Sequence, residues 1–202
     1  MFSELIQWFS QIYNVEALVT WGGLIGMTVI VFAETGLLIG FFLPGDSLLV
    51  AAGLLTANGM FDTHVLLTCT VLSVAAIAGD TVGYWFGAKT GPLLFTRPKS
   101  LLFNPKHLIR THEFYERHGG KTIIIARFMP IIRTFAPFVA GMATMRYPRF
   151  LSFNVLGAAL WVGPLVMAGY WFGNLPLIKN NLTLVIFGII LLSLLPLFVG
   201  WL

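Results

Sequence analysis

Two arginines lie in a stretch of the chain that is otherwise apolar. Arg127 and Arg133 stand in the segment ARFMPIIRTFAP (126–137), between apolar side chains and two prolines. Two acids, Glu34 and Asp46, lie in equally apolar surroundings. An ionised side chain inside a bilayer costs about 2.5–3.5 kcal/mol on insertion scales, and such residues mostly serve transport or catalysis. These four residues are therefore the first candidates for a functional site.

The arginine pair is suited to binding an anion. A guanidinium group offers a fork of N–H donors that matches phosphate, and it stays charged at any working pH. Pro130 and Pro137 are expected to break the helix on both sides, which would free backbone N–H groups for the same anion. The sequence therefore predicts that Arg127 and Arg133 bind phosphate. A structural alternative is that they cap helix ends or pair with the two acids as a brace, although four intramembrane charges are a costly brace.

The acids are candidates for proton coupling. Burial raises the pKa of a carboxyl group and a nearby arginine lowers it, so a site that alternates between these states can titrate. Glu34 lies within an apolar run and has no evident capping role. Asp46 follows Pro44-Gly45, and could equally cap the next helix. Asp80 is a third candidate acid, equally compatible with the wet end of its helix.

Composition indicates an all-α integral membrane protein with one domain over residues 1–202. The chain is 57% hydrophobic and 10% charged, with a mean hydropathy of +0.87. A transmembrane helix needs about 20 largely apolar residues. Four segments meet this requirement, at about 17–36, 63–87, 150–173 and 181–202.

Two shorter apolar segments are predicted to be re-entrant helical hairpins that dip into the membrane from opposite sides. They cover residues 37–60 and 122–146, and the residues expected to break them are Pro44, Gly45, Pro130 and Pro137. Irregular backbone at membrane depth is tolerated only where protein or a polar cavity surrounds it.

An internal repeat supports the paired hairpins. The string GYWFG occurs at 83–87 and again at 169–173, and Pro44 and Pro130 share the same offset of 86 positions. Inverted repeats with broken elements are typical of transporters. Chance is the alternative, because aromatic-glycine strings are common at membrane interfaces.

The ends and the basic loop define the predicted orientation. Residues 1–18 show helical spacing of apolar side chains, which indicates an amphipathic helix on the membrane surface, or else the solvated start of the first span. Residues 88–121 form a loop with seven basic residues: Lys89, Arg97, Lys99, Lys106, Arg110, Arg117 and Lys121. The positive-inside rule places this loop in the cytoplasm, and with it both termini.

Other classes of function have little support. The histidines of the basic loop, His107, His112 and His118, are spaced by five and six positions, which does not place ligands on one helical face, so neither a metal nor another cofactor is expected. No nucleophile motif or phosphate-cradling glycine loop occurs, so an enzyme is not predicted. Nucleic acid is not an expected partner either, because the basic patch is not part of a soluble domain.

Several motifs resemble the DedA family of bacterial inner-membrane proteins. The family shares the VTT, or SNARE-associated, domain with eukaryotic lipid scramblases. The resemblance rests on Glu34 followed by FLPGDSLL (42–49), on the GD and GY pairs at 79–84, and on HGGK (118–121) through the arginine segment to GM (141–142). It extends over nearly the whole chain. One departure is that no basic residues follow the last predicted span.

The resemblance implies a lipid transporter of the inner membrane that depends on the proton motive force. It implies undecaprenyl phosphate as the lipid, returned to the cytoplasmic leaflet, with phospholipids as a second group of substrates. The family's functional acids fall on Glu34 and Asp46, and its functional arginines on Arg127 and Arg133. Three rival functions are a proton-coupled ion or small-solute antiporter, a non-selective phospholipid scramblase, and a membrane enzyme that acts on polyprenyl phosphates. The small residues Gly22, Gly23 and Gly26 permit close helix packing and hence a homo-oligomer.

Overall fold

The described part of the chain is helical throughout its regular elements. The computed structural model describes residues 15–38, 40, 43, 45–61, 63–95, 121–179, 185 and 188. Within these residues the helices are α1 (Val15–Gly36), α2 (Gly45–Ala57), α3 (Val65–Phe95), α4 (Lys121–Ala126), α5 (Pro130–Met142), α6 (Tyr147–Gly173) and α7 (Pro176–Lys179).

Two long helices, α3 and α6, have the length and composition to cross a membrane, over Val65–Gly91 and Tyr147–Gly173. Helix α3 contains most of the predicted span at 63–87 and continues beyond it to Phe95. In this part of α3, Gly87 and Gly91 lie close to α5. The first residues of the predicted basic loop, 88–95, belong to α3, and residues 96–120 lie outside the described residues.

The first predicted span falls within α1. This helix bends at Gly23, whose φ of 49° and ψ of −138° are not helical. Residues 15–18 of the predicted surface helix belong to α1, whereas residues 1–14 lie outside the described residues. Nearly all of the predicted last span, 181–202, lies outside them as well.

Both predicted hairpins contain short helices. In the first, α2 has only 13 residues, and ten of these are buried. A helix that is apolar on every side and enclosed by protein is consistent with a segment too short to span. In the second, α4 and α5 pack against each other. Their re-entry into the membrane stays a prediction.

The chain divides into two compact units that alternate along the sequence. Unit 1 contains residues 1–31, 44–72 and 164–202, and unit 2 contains residues 32–43 and 73–163. Helices α1, α3 and α6 each contribute residues to both units.

In unit 2, glycines allow α3 and α5 to approach closely. A Cβ atom added at Gly141 would lie 2.7 Å from the backbone nitrogen of Ala88 and would also meet the Tyr84 carbonyl oxygen. A Cβ added at Gly87 would lie 2.8 Å from the carbonyl carbon of Phe138. Only glycine fits where two helix backbones are this close.

Unit 1 contains a matching contact between α2 and α6. A Cβ at Gly53 would lie 2.7 Å from the backbone nitrogen of Tyr170 and would meet the Val166 carbonyl oxygen. A Cβ at Gly169 would lie 2.9 Å from the carbonyl carbon of Val50. Each unit thus joins one long helix to one short helix through a pair of glycines.

The matched contacts give a different register from the repeated GYWFG string. The repeated string aligns Gly83 with Gly169. In the packing, by contrast, Gly87 on α3 has the role that Gly169 has on α6, because each faces a short helix. The glycines of those short helices, Gly141 and Gly53, likewise correspond to each other. The difference of four residues is about one helical turn. Helix packing depends on the face that a glycine occupies. A shift of four residues between the two alignments keeps the glycine on nearly the same face.

Candidate functional site

The second hairpin is broken between its two arginines. Helix α4 ends at Ala126, and Pro130 begins α5. Met129 is extended, with φ −114° and ψ 107°, because a residue before proline is driven out of the helical region. Arg127 therefore follows directly after α4, and Arg133 lies in the first turns of α5, where its N–H donates to the Met129 carbonyl at 2.9 Å.

Arg127 is buried and has partners on two other helices. Its guanidinium donates to the Asp80 carboxylate on α3 and to the amide oxygen of Asn154 on α6. The Asn154 amide nitrogen donates in turn to the Ile77 carbonyl at 3.2 Å. That second bond fixes which end of the Asn154 amide faces the arginine.

Arg133 forms the second ion pair, with Glu34 at the end of α1. The end of α1 is held against α3, because the Thr35 hydroxyl donates to the Ala76 carbonyl at 3.3 Å. A Cβ at Gly36 would lie 3.0 Å from the Gly79 Cα, so the two helices approach closely here. Local packing thus places the fully buried Glu34 opposite its arginine.

A single tryptophan contacts both arginines. The guanidinium carbon of Arg133 lies 4.6 Å from the centre of the Trp161 ring, and that of Arg127 lies 5.8 Å from it. Both distances are within the range of a cation–π attraction. One turn before Trp161 on α6, Gly157 leaves room for Arg127, since a Cβ there would be 2.9 Å from the arginine Cδ.

The site is a buried, electrically neutral arrangement of two cations and two anions. Arg127 and Asp80 each expose 3% of their surface, Arg133 exposes 7%, and Glu34 exposes none. Removing one partner of such a buried pair typically costs about 3–5 kcal/mol, because the other charge is left uncompensated. A phosphate at this site would compete with the carboxylates for the guanidinium donors that they bind.

The hairpin that carries the arginines is apolar on its outer side and polar on its inner side. Phe128, Met129, Ile132 and Phe135 each expose more than a third of their surface, while the arginines point inward. A soluble protein has the opposite arrangement. The distribution fits a hairpin with lipid outside and a polar site within.

Four of the five charged residues predicted for the site are brought together in unit 2: Glu34, Asp80, Arg127 and Arg133. Asp80, which could also have lain at a wet helix end, is buried at an ion pair. Asp46 lies in unit 1, half-buried in the first turn of α2. An acid in that position is favoured by the helix dipole.

The residues that were expected to break the hairpin helices occupy different positions in the structure. Gly45 begins α2 and Pro130 begins α5, whereas Pro44 lies outside the described residues. The prediction for Pro137 was wrong, because this proline lies inside α5, which continues to Met142. Membrane helices tolerate an internal proline where neighbouring groups satisfy the freed carbonyl. The loop histidines also lie outside the described residues.

Sequence reasoning missed three residues of the site, all on α6. Asn154, Gly157 and Trp161 follow a spacing of three and four and so share one helix face. They lie in a run that was assigned as a span because it has no charge. An amide in the middle of such a run was the available signal, since polar side chains within spans usually face the protein interior.

Comparison with known proteins identifies the family. The VTT domain family model matches residues 43–171. The chain is 52% identical to Protein DedA of Escherichia coli K12 over 168 residues, which cover 83% of this chain and 77% of that protein. The chain belongs to the DedA family. It is therefore a membrane protein, and the predicted resemblance is confirmed.

Two further relatives are similar to this DedA family member. An uncharacterized membrane protein of Mycobacterium leprae is 45% identical over 168 residues, covering 83% of this chain and 74% of the relative. The inner membrane protein YqjA of E. coli K12 is 39% identical over 149 residues, covering 73% and 66%. No solved structure matches the chain. The VTT match includes Asp80 and both arginines, and Glu34 precedes it.

Proposed function

We propose that this DedA family protein is a transporter, not an enzyme, that moves lipid phosphates across the membrane and is driven by the proton motive force. The observation that carries the proposal is the buried pair of guanidiniums, Arg127 and Arg133, each held by its own carboxylate. Guanidinium groups bind phosphate through the same N–H donors that here bind carboxylates. The phosphate headgroup would occupy this site while the lipid tail stays outside.

Protons would control access to the arginines. With Glu34 and Asp80 ionised, the carboxylates occupy the guanidinium donors and the site is neutral. Protonation of an acid weakens its hold on the arginine, and a phosphate then takes its place. Asp46, in the first turn of α2, is a further proton-coupling candidate from the family resemblance.

The membrane potential gives a reason for the acids. Moving an anion to the inner leaflet against an inside-negative potential costs about 2.3 kcal/mol per charge per 100 mV. One accompanying proton offsets a monoanion, and two offset a dianion. The family resemblance favours undecaprenyl phosphate as the lipid, with phospholipids as a second group.

The test is lipid movement in proteoliposomes that contain a polyprenyl phosphate with a quenchable fluorophore. Flipping is measured with and without an imposed pH gradient. The key variant combines Glu34→Gln with Arg133→Gln, which removes one ion pair without leaving a buried charge. The control is Arg146→Gln, at an exposed position outside the site. We expect gradient-driven flipping by the wild type and the control, and a rate about tenfold or more lower in the double variant, because each charged hydrogen bond is worth about 1.5–3 kcal/mol.

The other outcomes identify the rivals. Absence of flipping by the wild type, with dissipation of the pH gradient in proteoliposomes that contain no polyprenyl phosphate, would indicate an antiporter. Equal movement of many headgroups without dependence on the gradient would indicate a scramblase. Release of inorganic phosphate would indicate an enzyme. A stable double variant with wild-type flipping would make this ion pair a structural brace.

A further inference from the structure

Trp161 is the side chain that the two arginines share. Each carboxylate binds one guanidinium, whereas the Trp161 ring lies 4.6 Å from one guanidinium carbon and 5.8 Å from the other. The tryptophan exposes only 3% of its surface. A cation–π attraction strengthens when water is excluded from the contact.

The ring and the carboxylates act on the arginines in different ways. A carboxylate accepts the N–H hydrogen bonds that a phosphate would also need. An aromatic ring attracts the positive charge through its quadrupole and accepts none of those in-plane donors. The carboxylates therefore compete with phosphate, and the ring does not.

We infer that Trp161 is a positioning residue that keeps Arg127 and Arg133 together when the carboxylates release them, and that this makes the site selective for phosphate monoesters over phosphodiesters. The inference rests on the proposed function, because it concerns the same site. It adds a residue and a headgroup preference.

The rest of the α6 face supports this role. Asn154 and Gly157 lie on the same face as Trp161, and both contact or make room for Arg127. This face carries an amide, a glycine and a ring, and no charge. It can therefore stay in place whether the acids are ionised or protonated.

The headgroup preference follows from charge. A phosphate monoester carries about −1.5 to −2 at pH 7, and a diester carries a single negative charge. Two guanidiniums held at one ring gain from the second charge of a monoester. If the ring is lost, the arginines separate and one arginine serves either ester almost equally well.

Equilibrium binding to the purified protein in detergent tests the inference. The probes are farnesyl phosphate and its methyl ester, which share a tail and differ in headgroup charge. The variants are Trp161→Leu and Trp161→Met, which remove the ring, and Trp161→Phe, which keeps one. The matched control is Trp171→Leu, because Trp171 is 67% exposed and lies in the other unit. The unfolding temperature of each variant identifies any that does not fold.

We expect the wild type and the control to prefer the monoester by about tenfold, because its second negative charge gains one more charged hydrogen bond from the second guanidinium. Loss of the ring should weaken monoester binding about tenfold and change diester binding less than about twofold, whereas Trp161→Phe should retain most of the preference. A folded Leu or Met variant with the wild-type preference would overturn the inference. So would a wild type that binds neither ester.

Binding and transport together separate the two proposals. Suppose that the monoester preference depends on Trp161 but the protein does not flip lipid in proteoliposomes. That result would contradict the proposed function and support the inference about Trp161. Flipping by a protein whose headgroup preference does not depend on Trp161 would support the proposed function and overturn the inference about Trp161.

Discussion

At the scale of single residues, the main result is that each buried arginine has its own acid. Asp80 pairs with Arg127 and Glu34 pairs with Arg133. Arg127 also has a neutral partner, the Asn154 amide, which would remain if Asp80 lost its charge. Because each acid pairs with a different arginine, Asp80 can be tested separately from Glu34.

Asp80→Asn should destabilise the protein and make it respond more strongly to phosphate. The substitution leaves Arg127 as a buried charge without a counterion, which costs about 3–5 kcal/mol. A bound phosphate would restore the balance, so farnesyl phosphate should raise the unfolding temperature more than in the wild type. Combining Asp80→Asn with Arg127→Gln should recover stability and lose the response. A single variant as stable as the wild type would contradict the pairing.

At the scale of secondary-structure elements, α6 supports the site through a glycine. The Arg127 side chain passes over Gly157, where a Cβ atom would lie 3.0 Å from the arginine Nε. The same helix offers a second position for comparison, because a Cβ at Gly163 would have nothing within 4 Å apart from its chain neighbours, one of which is Pro164. The pair separates an effect on the site from the general effect of alanine in a helix.

Gly157→Ala should lower stability by about 1–3 kcal/mol, the usual cost of overpacking, and should also slow transport because Arg127 is displaced. Gly163→Ala should leave transport unchanged because its Cβ is away from Arg127, and its effect on stability is limited to the contact of that Cβ with the ring of the following Pro164. Denaturant unfolding and flipping rates measure both effects. An equal loss of stability and of flipping rate in both variants would mean that the Gly157 contact has no specific role.

At the scale of the whole molecule, the predicted orientation in the membrane can be tested. The positive-inside rule places the start of α4 in the cytoplasm, and the predicted spans place the start of α3 outside. Lys121 and His64 mark these two positions, and both are exposed. The single cysteine, Cys69, can be replaced to give a background for labelling.

In a Cys69→Ala background, His64→Cys should react with a membrane-impermeant thiol reagent in whole spheroplasts. Lys121→Cys should react only in inverted vesicles or after permeabilisation. Labelling of both positions from one side would refute the predicted topology of the first hairpin and of α3.

The amino-acid sequence was sufficient to predict a helical membrane protein, and its candidate charges included the four that form the ion pairs, together with Asp46 in the other unit. Charge within apolar runs is costly wherever the chain folds, so Glu34, Asp80, Arg127 and Arg133 could be recognised without coordinates. The break before Pro130 was likewise predictable, because proline restricts its own φ and the residue before it. The position of Pro137 inside α5 could not be predicted, because its neighbours in the fold decide whether a helix tolerates an internal proline.

Only the tertiary structure decided which groups meet. The ion pairs join residues 99 and 47 positions apart, and helical periodicity contains no information on such distances. Asn154 and Trp161 carry no charge, so in the sequence they resemble any other residue of a span. They belong to the site because the glycine contacts of unit 2 bring α3 against α5 and Gly157 admits Arg127 beside α6. Close packing of the helix backbones in unit 2 therefore determines which residues contact the two arginines.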